Sequence, residues 1–177
     1  MKKAMILMVL MLTLIAAPAI AKEGLFLGAY VMPSVTLQDA DGSGYGFRAG
    51  FGFNKYFSIQ GQIEKSKLDQ TGGGTLDLSG LAVDVRVNFP LTTLDSAKVM
   101  SFEPYVQLGY GLNYEVQWNG GSSKGNGRRV GFGIEQYLFR ELSVNVGYTS
   151  TKIGFDQPVN EDISIRTIDI GLTYHFM

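Results

Sequence analysis

The chain lacks cysteine altogether and carries one histidine and five prolines in 177 residues. Without cysteine an exported protein gains nothing from disulfides. It also has no lipid-attachment residue, so a lipoprotein is excluded. A single histidine leaves no cluster from which to build a metal centre, and no cofactor motif is present. Charge of one sign is missing too. Taking Lys2 and Lys3 from the 15 basic residues leaves 13 against 16 acidic ones. That balance points to no nucleic acid and no strongly charged partner. Helix-period segments are hard to find after Ala21.

What is present begins with an export signal. Lys2 and Lys3 precede an apolar run from Ala4 to Ile15, and Ala19-Ile20-Ala21 supplies the small-x-small pattern of a cleavage site. Pro18 and the small residues break the run before it reaches the ~20 apolar residues of a spanning helix. The expected organisation is a signal peptide at 1–21 and one domain at 22–177. Glycine is abundant, at 23 residues, and aromatics make up 12%.

Period-2 alternation marks eight strand-like segments. The first, Leu25 to Met32, is apolar on both parities and leaves its register open. The next three alternate clearly: Tyr45, Phe47, Ala49, Phe51 and Phe53; then Phe57, Ile59, Gly61 and Ile63; then Leu81 to Phe89 on odd numbers. The fifth, Phe102 to Trp118, puts Val106, Leu108, Tyr110, Leu112, Tyr114, Val116 and Trp118 on one parity. Val130, Phe132 and Ile134 mark the sixth, and Leu142 to Tyr148 the seventh. The eighth carries Ile168, Ile170, Leu172, Tyr174 and Phe176. Short turns are expected near Asn54-Lys55 and Phe139-Arg140. Polar, Gly-rich loops are expected at Pro33–Gly44, Lys65–Thr75, Asn119–Arg128 and Thr151–Asp162, with a long connection at Pro90–Ser101.

The apolar parity is almost free of charge. The opposite parity carries Arg48, Glu64, Asp84, Arg86, Glu103, Glu115, Arg129, Glu135 and Asp169. Burying those charges in a soluble core would cost several kcal/mol each unless paired. A membrane barrel turns the same face into its lumen and shows the apolar face to lipid. The expected fold is therefore all-β: an eight-stranded antiparallel up-and-down transmembrane barrel. Two aromatic girdles fit it. Phe53, Phe57, Phe89, Phe102, Phe139, Tyr174 and Phe176 would form the periplasmic one, and Tyr30, Tyr45, Tyr114, Trp118 and Tyr148 the outer one.

The ending Asp169-x-Gly171-x-x-Tyr174-x-Phe176 resembles the C-terminal signal read by the outer-membrane barrel assembly machinery, departing from it only in the extra Met177. Glu103-Pro104-Tyr105-Val106 with Gly109 and Gly111 is similar to the fifth-strand start of small barrels of the OmpA, OmpX and OmpW type. The stretch from Gly131 through Glu135, Tyr137, Leu142 and Tyr148 is similar to their next two strands. The resemblance implies a protein of the outer membrane, in contact with its lipid. It implies roles from envelope structure and adhesion to passage of small molecules.

Enzymatic chemistry finds little support. His175 sits two residues from the end, on the periplasmic rim of the expected topology, out of reach of exterior loops. Asp39-Ala40-Asp41-Gly42 resembles a calcium loop only in its start, since the twelfth position is Gly50. In a lumen just wide enough for side chains, Arg48, Arg86 and Arg129 are expected to pair with the carboxylates as a plug. A narrow polar conduit lined by the same residues is the alternative. A surface ligand, if there is one, is not named by the sequence. Lys124, Arg128 and Arg129 form the basic group worth testing among the exterior loops.

Overall fold

The structure is a computed structural model that describes residues 23–90, 102–156 and 161–176. The signal segment with Ala19 and Ala21, most of the Pro90–Ser101 connection, and Met177 lie outside the described residues. Eight strands follow one another: β1 (Gly24–Leu37), β2 (Ala40–Gly52), β3 (Phe57–Gln70), β4 (Thr75–Asn88), β5 (Phe102–Trp118), β6 (Gly121–Tyr137), β7 (Leu142–Phe155) and β8 (Asp162–His175). Each pairs antiparallel with its neighbour, and β1 pairs with β8 to close the ring. Closure leaves no row of unpaired N–H and C=O groups facing hydrocarbon.

The strands run much further than the alternation suggested. The segments expected to be loops are mostly strand, joined by tight turns at Gln38-Asp39, around Gly72–Gly74 and at Asn119-Gly120. At the opposite rim, where β1 begins and β8 ends, Asn54 makes the β2–β3 turn. Its Oδ1 accepts from the backbone N–H of Tyr56 at 2.8 Å and of Phe57 at 3.0 Å.

Extension brings an inversion of chemistry along each strand. Nearer the termini-bearing rim, apolar residues face out and polar ones face in. On β4 the outward residues Leu81, Val83 and Val85, with Phe89 just past its end, are exposed, while Asp84, Arg86 and Asn88 are buried. Nearer the far rim the same strand turns Asp77 and Ser79 outward and buries Leu76 and Leu78. β3, β7 and β8 do likewise: Leu68, Ile153, Phe155, Ile163 and Ile165 are buried, and Lys65, Lys67, Lys152 and Arg166 face out. The outward apolar stretch from Leu81 to Phe89 rises roughly 20 Å at ~3.3 Å per residue and ~40° tilt, close to the ~25 Å band of outer-membrane barrels. The remaining six residues of β4 stand roughly 15 Å clear of it by the same geometry.

Two bulges accompany the inversion. Leu112 has no partner on β4, and both Leu112 and Asn113 are skipped in the pairing with β6. The extra residue swaps the faces beyond it. Tyr114 therefore points inward and is fully buried, and Val116 follows it. Glu115, expected in the lumen, instead lies on the outer wall 3.7 Å from Lys124. On β1 the shift falls between Met32 and Val35, at Pro33, where a residue without an N–H costs no ladder bond. β1's open register is thereby resolved: Leu25, Leu27 and Val31 face out, and Phe26, Tyr30 and Met32 face in. Tyr30 and Tyr114 thus leave the expected outer girdle, and Trp118 packs against the interior apolar cluster. Tyr45 and Tyr148 keep their expected outward place near the upper border, and Tyr110 joins them there.

The two halves of one outward face should respond differently to the same cation. Val85→Arg, inside the lipid band, is expected to lower unfolding stability by about 2–4 kcal/mol. Asp77→Arg on the same strand is expected to stay within about 0.5 kcal/mol. Urea unfolding of the refolded protein in micelles measures both.

Candidate functional site

Buried charged groups converge in the lumen. Three arginines from three strands anchor it, and each is stacked near an aromatic ring. Arg86 on β4 pairs with Glu135 on β6, donates to Asn88 Oδ1 at 2.8 Å, and lies 3.5 Å from the centre of the Tyr105 ring. Arg48 on β2 donates to Asp169 Oδ1 at 2.9 Å, where Asn145 Nδ2 also donates at 3.0 Å, and lies 4.4 Å from the Tyr30 ring centre. Arg129 on β6 is held between Glu64 Oε1 at 3.1 Å and Asp84 Oδ1 at 3.2 Å. It also donates to the Tyr114 hydroxyl. Arg86 and Arg129 each hydrogen-bond two partners and Asp169 accepts from two, which is what makes a charge tolerable away from bulk water; Arg48 Nε and Arg129 Nε make no hydrogen bond.

Neutral groups complete the lattice. Gln62 donates to Asp84. Gln60 donates to Gln107 at 3.3 Å, and Gln107 to Thr149 at 3.0 Å. The Tyr30 hydroxyl donates to Glu64 Oε2 at 3.3 Å. Glycines make room for the two tyrosines: a Cβ at Gly46 would lie 2.3 Å from the Tyr30 ring, and one at Gly80 2.5 Å from the Tyr114 ring. Neither alcove admits a side chain.

Of the residues singled out in the sequence, Arg48, Glu64, Asp84, Arg86, Glu103, Arg129, Glu135 and Asp169 face the lumen. Glu115 does not, because of the β5 bulge. Glu103 lies directly across from Glu135. In the C-terminal motif, Asp169 and Gly171 face inward, while Tyr174 and Phe176 stand outward at the rim, edge to face at 5.0 Å. Sequence reasoning put Tyr30 and Tyr114 outside, and it placed Tyr105 and the amides on the polar parity without counting them in the network. It also missed the apolar block above them: Met32, Val35, Leu37, Leu68, Leu78, Ile153 and Ile165, all almost fully buried.

At the termini-bearing mouth, His175 lies between Phe26 and Tyr137, at ring separations of 5.7 and 5.1 Å. Ser143 Oγ donates to Glu135 Oε1 at 2.5 Å and lies 3.1 Å from His175 Nε2. Nε2 is also the nitrogen nearest Glu135, at 3.4 Å. A proton relay needs the hydroxyl and the carboxylate on different ring nitrogens. Here both crowd the same one, so the trio is a structural cluster rather than a catalytic triad. A cavity of about 20 Å³ beside it, lined by Arg48, Arg86, Glu135 and His175 among others, has room for one water. Among the described residues no group of His, Asp or Glu is placed to hold a metal ion.

Removing Arg129 would strand Glu64 and Asp84 together. Arg129→Met is expected to cost about 3–5 kcal/mol, and a second change, Asp84→Asn, to restore part of the loss. Unfolding midpoints of the single and double variants check this.

Comparison with solved structures finds the same architecture. Neisserial surface protein A superposes with a TM-score of 0.68 at 14% identity, covering 86% of this chain and 96% of that one. Ail, the attachment invasion locus protein of Yersinia pestis, solved in complex with the heparin analogue sucrose octasulfate, gives a TM-score of 0.52 at 14% identity, covering 87% and 99%. No match to a curated protein was found. The sequence pattern of the outer membrane protein beta-barrel domain matches residues 7–176, nearly the whole chain. With the closed eight-stranded ring, its lipid-facing band and its side-chain-filled lumen, that match establishes the chain as a member of the outer membrane β-barrel domain family, resident in the outer membrane.

Proposed function

We propose that this barrel acts from its far rim, as a surface-contact and envelope protein with a non-conducting lumen and no catalytic role. The observation that carries the reading is the apolar block of Met32, Leu68, Ile153 and Ile165 inside the barrel segment that stands clear of lipid. An ion crossing that block would shed its water among Leu, Ile and Met side chains, at a cost of tens of kcal/mol by Born estimates. The same segment lifts the turns at Gln38-Asp39, Gly72–Gly74 and Asn119-Gly120 away from the membrane, where partners can reach them. Ail, of the same fold, bears the name of an attachment protein, so the architecture accommodates such a role.

The rest of the life cycle follows from the sequence. Cleavage after Ala21 would release Lys22–Met177 into the periplasm. The outward pair Tyr174 and Phe176, with Asp169 and Gly171, would then be read by the barrel assembly machinery. An even strand number leaves both ends on one rim, and we assign that rim to the periplasm. The runner-up, a conduit, draws support from the polar lower lumen alone.

Absence of native cysteine makes the orientation easy to test. Asn119→Cys should react with a membrane-impermeant maleimide on intact cells at least tenfold faster than Arg140→Cys. Reversed reactivity would invert the topology. In planar bilayers the refolded protein should be silent; a steady conductance that disappears in Arg86→Gln would instead establish the conduit.

A further inference from the structure

Above the lipid band the outer wall is not uniform around the ring. On β2 to β5 the charges are mixed: Lys67 lies across from Asp77, and Asp41 across from Asp69. On β6 to β8 the wall is cationic. Arg128 is the first outward residue above Val130, and Arg166 the first above Ile168. Between them β7 presents Ser150 and Lys152, with Arg128 directly opposite Lys152 and Arg166 opposite Ser150.

Like charges face to face across a ladder destabilise it unless an anion joins them. Part of the charge is answered within the chain. Lys152 reaches Asp162 at 3.0 Å, and Lys124 reaches Glu115 at 3.7 Å on the far side of β6. Among the described residues neither Arg128 nor Arg166 makes an ion pair. Their Cα atoms are about 12 Å apart, two strand spacings across and two residues offset along β7.

Height points to the source of an anion that would join them. Both guanidinium groups emerge at the first position past the apolar band, where lipid headgroups lie. The acids Asp39, Asp156 and Glu161 sit further out, in or beside the turns, and would repel an anion arriving from water. Directly below, Val130 and Phe132 are more than half exposed and Ile168 is 42% exposed, forming a strip suited to acyl chains. Guanidinium forks hold phosphate oxygens two at a time and shed their water readily.

We propose that Arg128, Lys152 and Arg166 form a docking surface for a phosphorylated glycolipid of the outer leaflet. Its phosphate lies between the arginines, beside the Ser150 hydroxyl, and its acyl chains run down the Val130–Phe132–Ile168 strip. The proposal rests on the far rim facing outward, which the maleimide experiment settles separately.

Native mass spectrometry of the refolded protein in micelles, titrated with purified bisphosphorylated lipid A, tests it. One lipid per barrel should be retained, at least tenfold more tightly than dephosphorylated lipid A. The double variant Arg128→Gln/Arg166→Gln should weaken retention at least tenfold, and Lys65→Gln/Lys67→Gln less than twofold. Excess inorganic phosphate should not displace the lipid. Equal retention of the dephosphorylated lipid, which needs no variant, would overturn the proposal. So would unchanged binding in the double variant, or displacement by free phosphate. Binding in micelles reads out whichever way the barrel faces, so a negative result counts against the site and not against the orientation.

Discussion

Hydrocarbon offers no partner for a peptide group, and from that constraint most of this molecule follows. A sheet that crosses a bilayer must close, and β1 closes on β8 through ten paired positions. Eight strands fix a lumen too narrow for anything but side chains. Whatever lines that lumen must therefore satisfy itself. Arg48, Arg86 and Arg129 do so by spanning from strand to strand, each joining two elements distant in sequence. Arg129 alone ties β6 to β3 and β4.

The lipid-facing half of the fold was legible because alternation there coincides with the change of solvent. Phe47 against Arg48, Val85 against Arg86 and Ile170 against Asp169 leave one reading of which face meets lipid. Parity places nine charged residues in the lumen, and eight of them lie there. The far half reads as loops in the sequence. In β3, β4, β7 and β8 the apolar residues jump from one parity to the other where the surroundings change, as from Leu78 to Leu81 or from Ile165 to Ile168. Such a jump looks like the end of a strand. It is in fact the same strand entering water.

The bulges concealed the change in a different way. On β5 the extra residue at Leu112 reverses the faces just where the outside turns from lipid to water. The two reversals cancel in the sequence, and the apolar residues from Val106 to Trp118 keep one parity throughout. Nothing in that run distinguishes an outward Tyr110 from an inward Tyr114. Only the partner glycines at Gly80 and Gly111, each with the Tyr114 ring where its Cβ would be, mark the position, and they are legible only once the register is known. The same cancellation on β1, at Pro33, puts Val31 outside and Val35 inside. Glu115 was misplaced for this reason alone.

The inversion also explains why one lumen holds two kinds of filling. Lipid tails are as apolar as leucine, so an apolar interior inside the lipid band would gain little from burial. A polar lattice there distinguishes inside from outside, because no residue in it could face the acyl chains without loss. Beyond the band the outside is water, and the argument reverses. Polar residues gain nothing by turning inward, whereas Leu68, Ile153 and Phe155 gain their full transfer free energy, ~1.5–3 kcal/mol each. The interior chemistry at every height is thus the complement of the solvent outside. The level at which Glu64 and Arg129 give way to Leu68 and Ile153 inside is set by the same boundary that Tyr45 and Tyr148 mark on the outer wall.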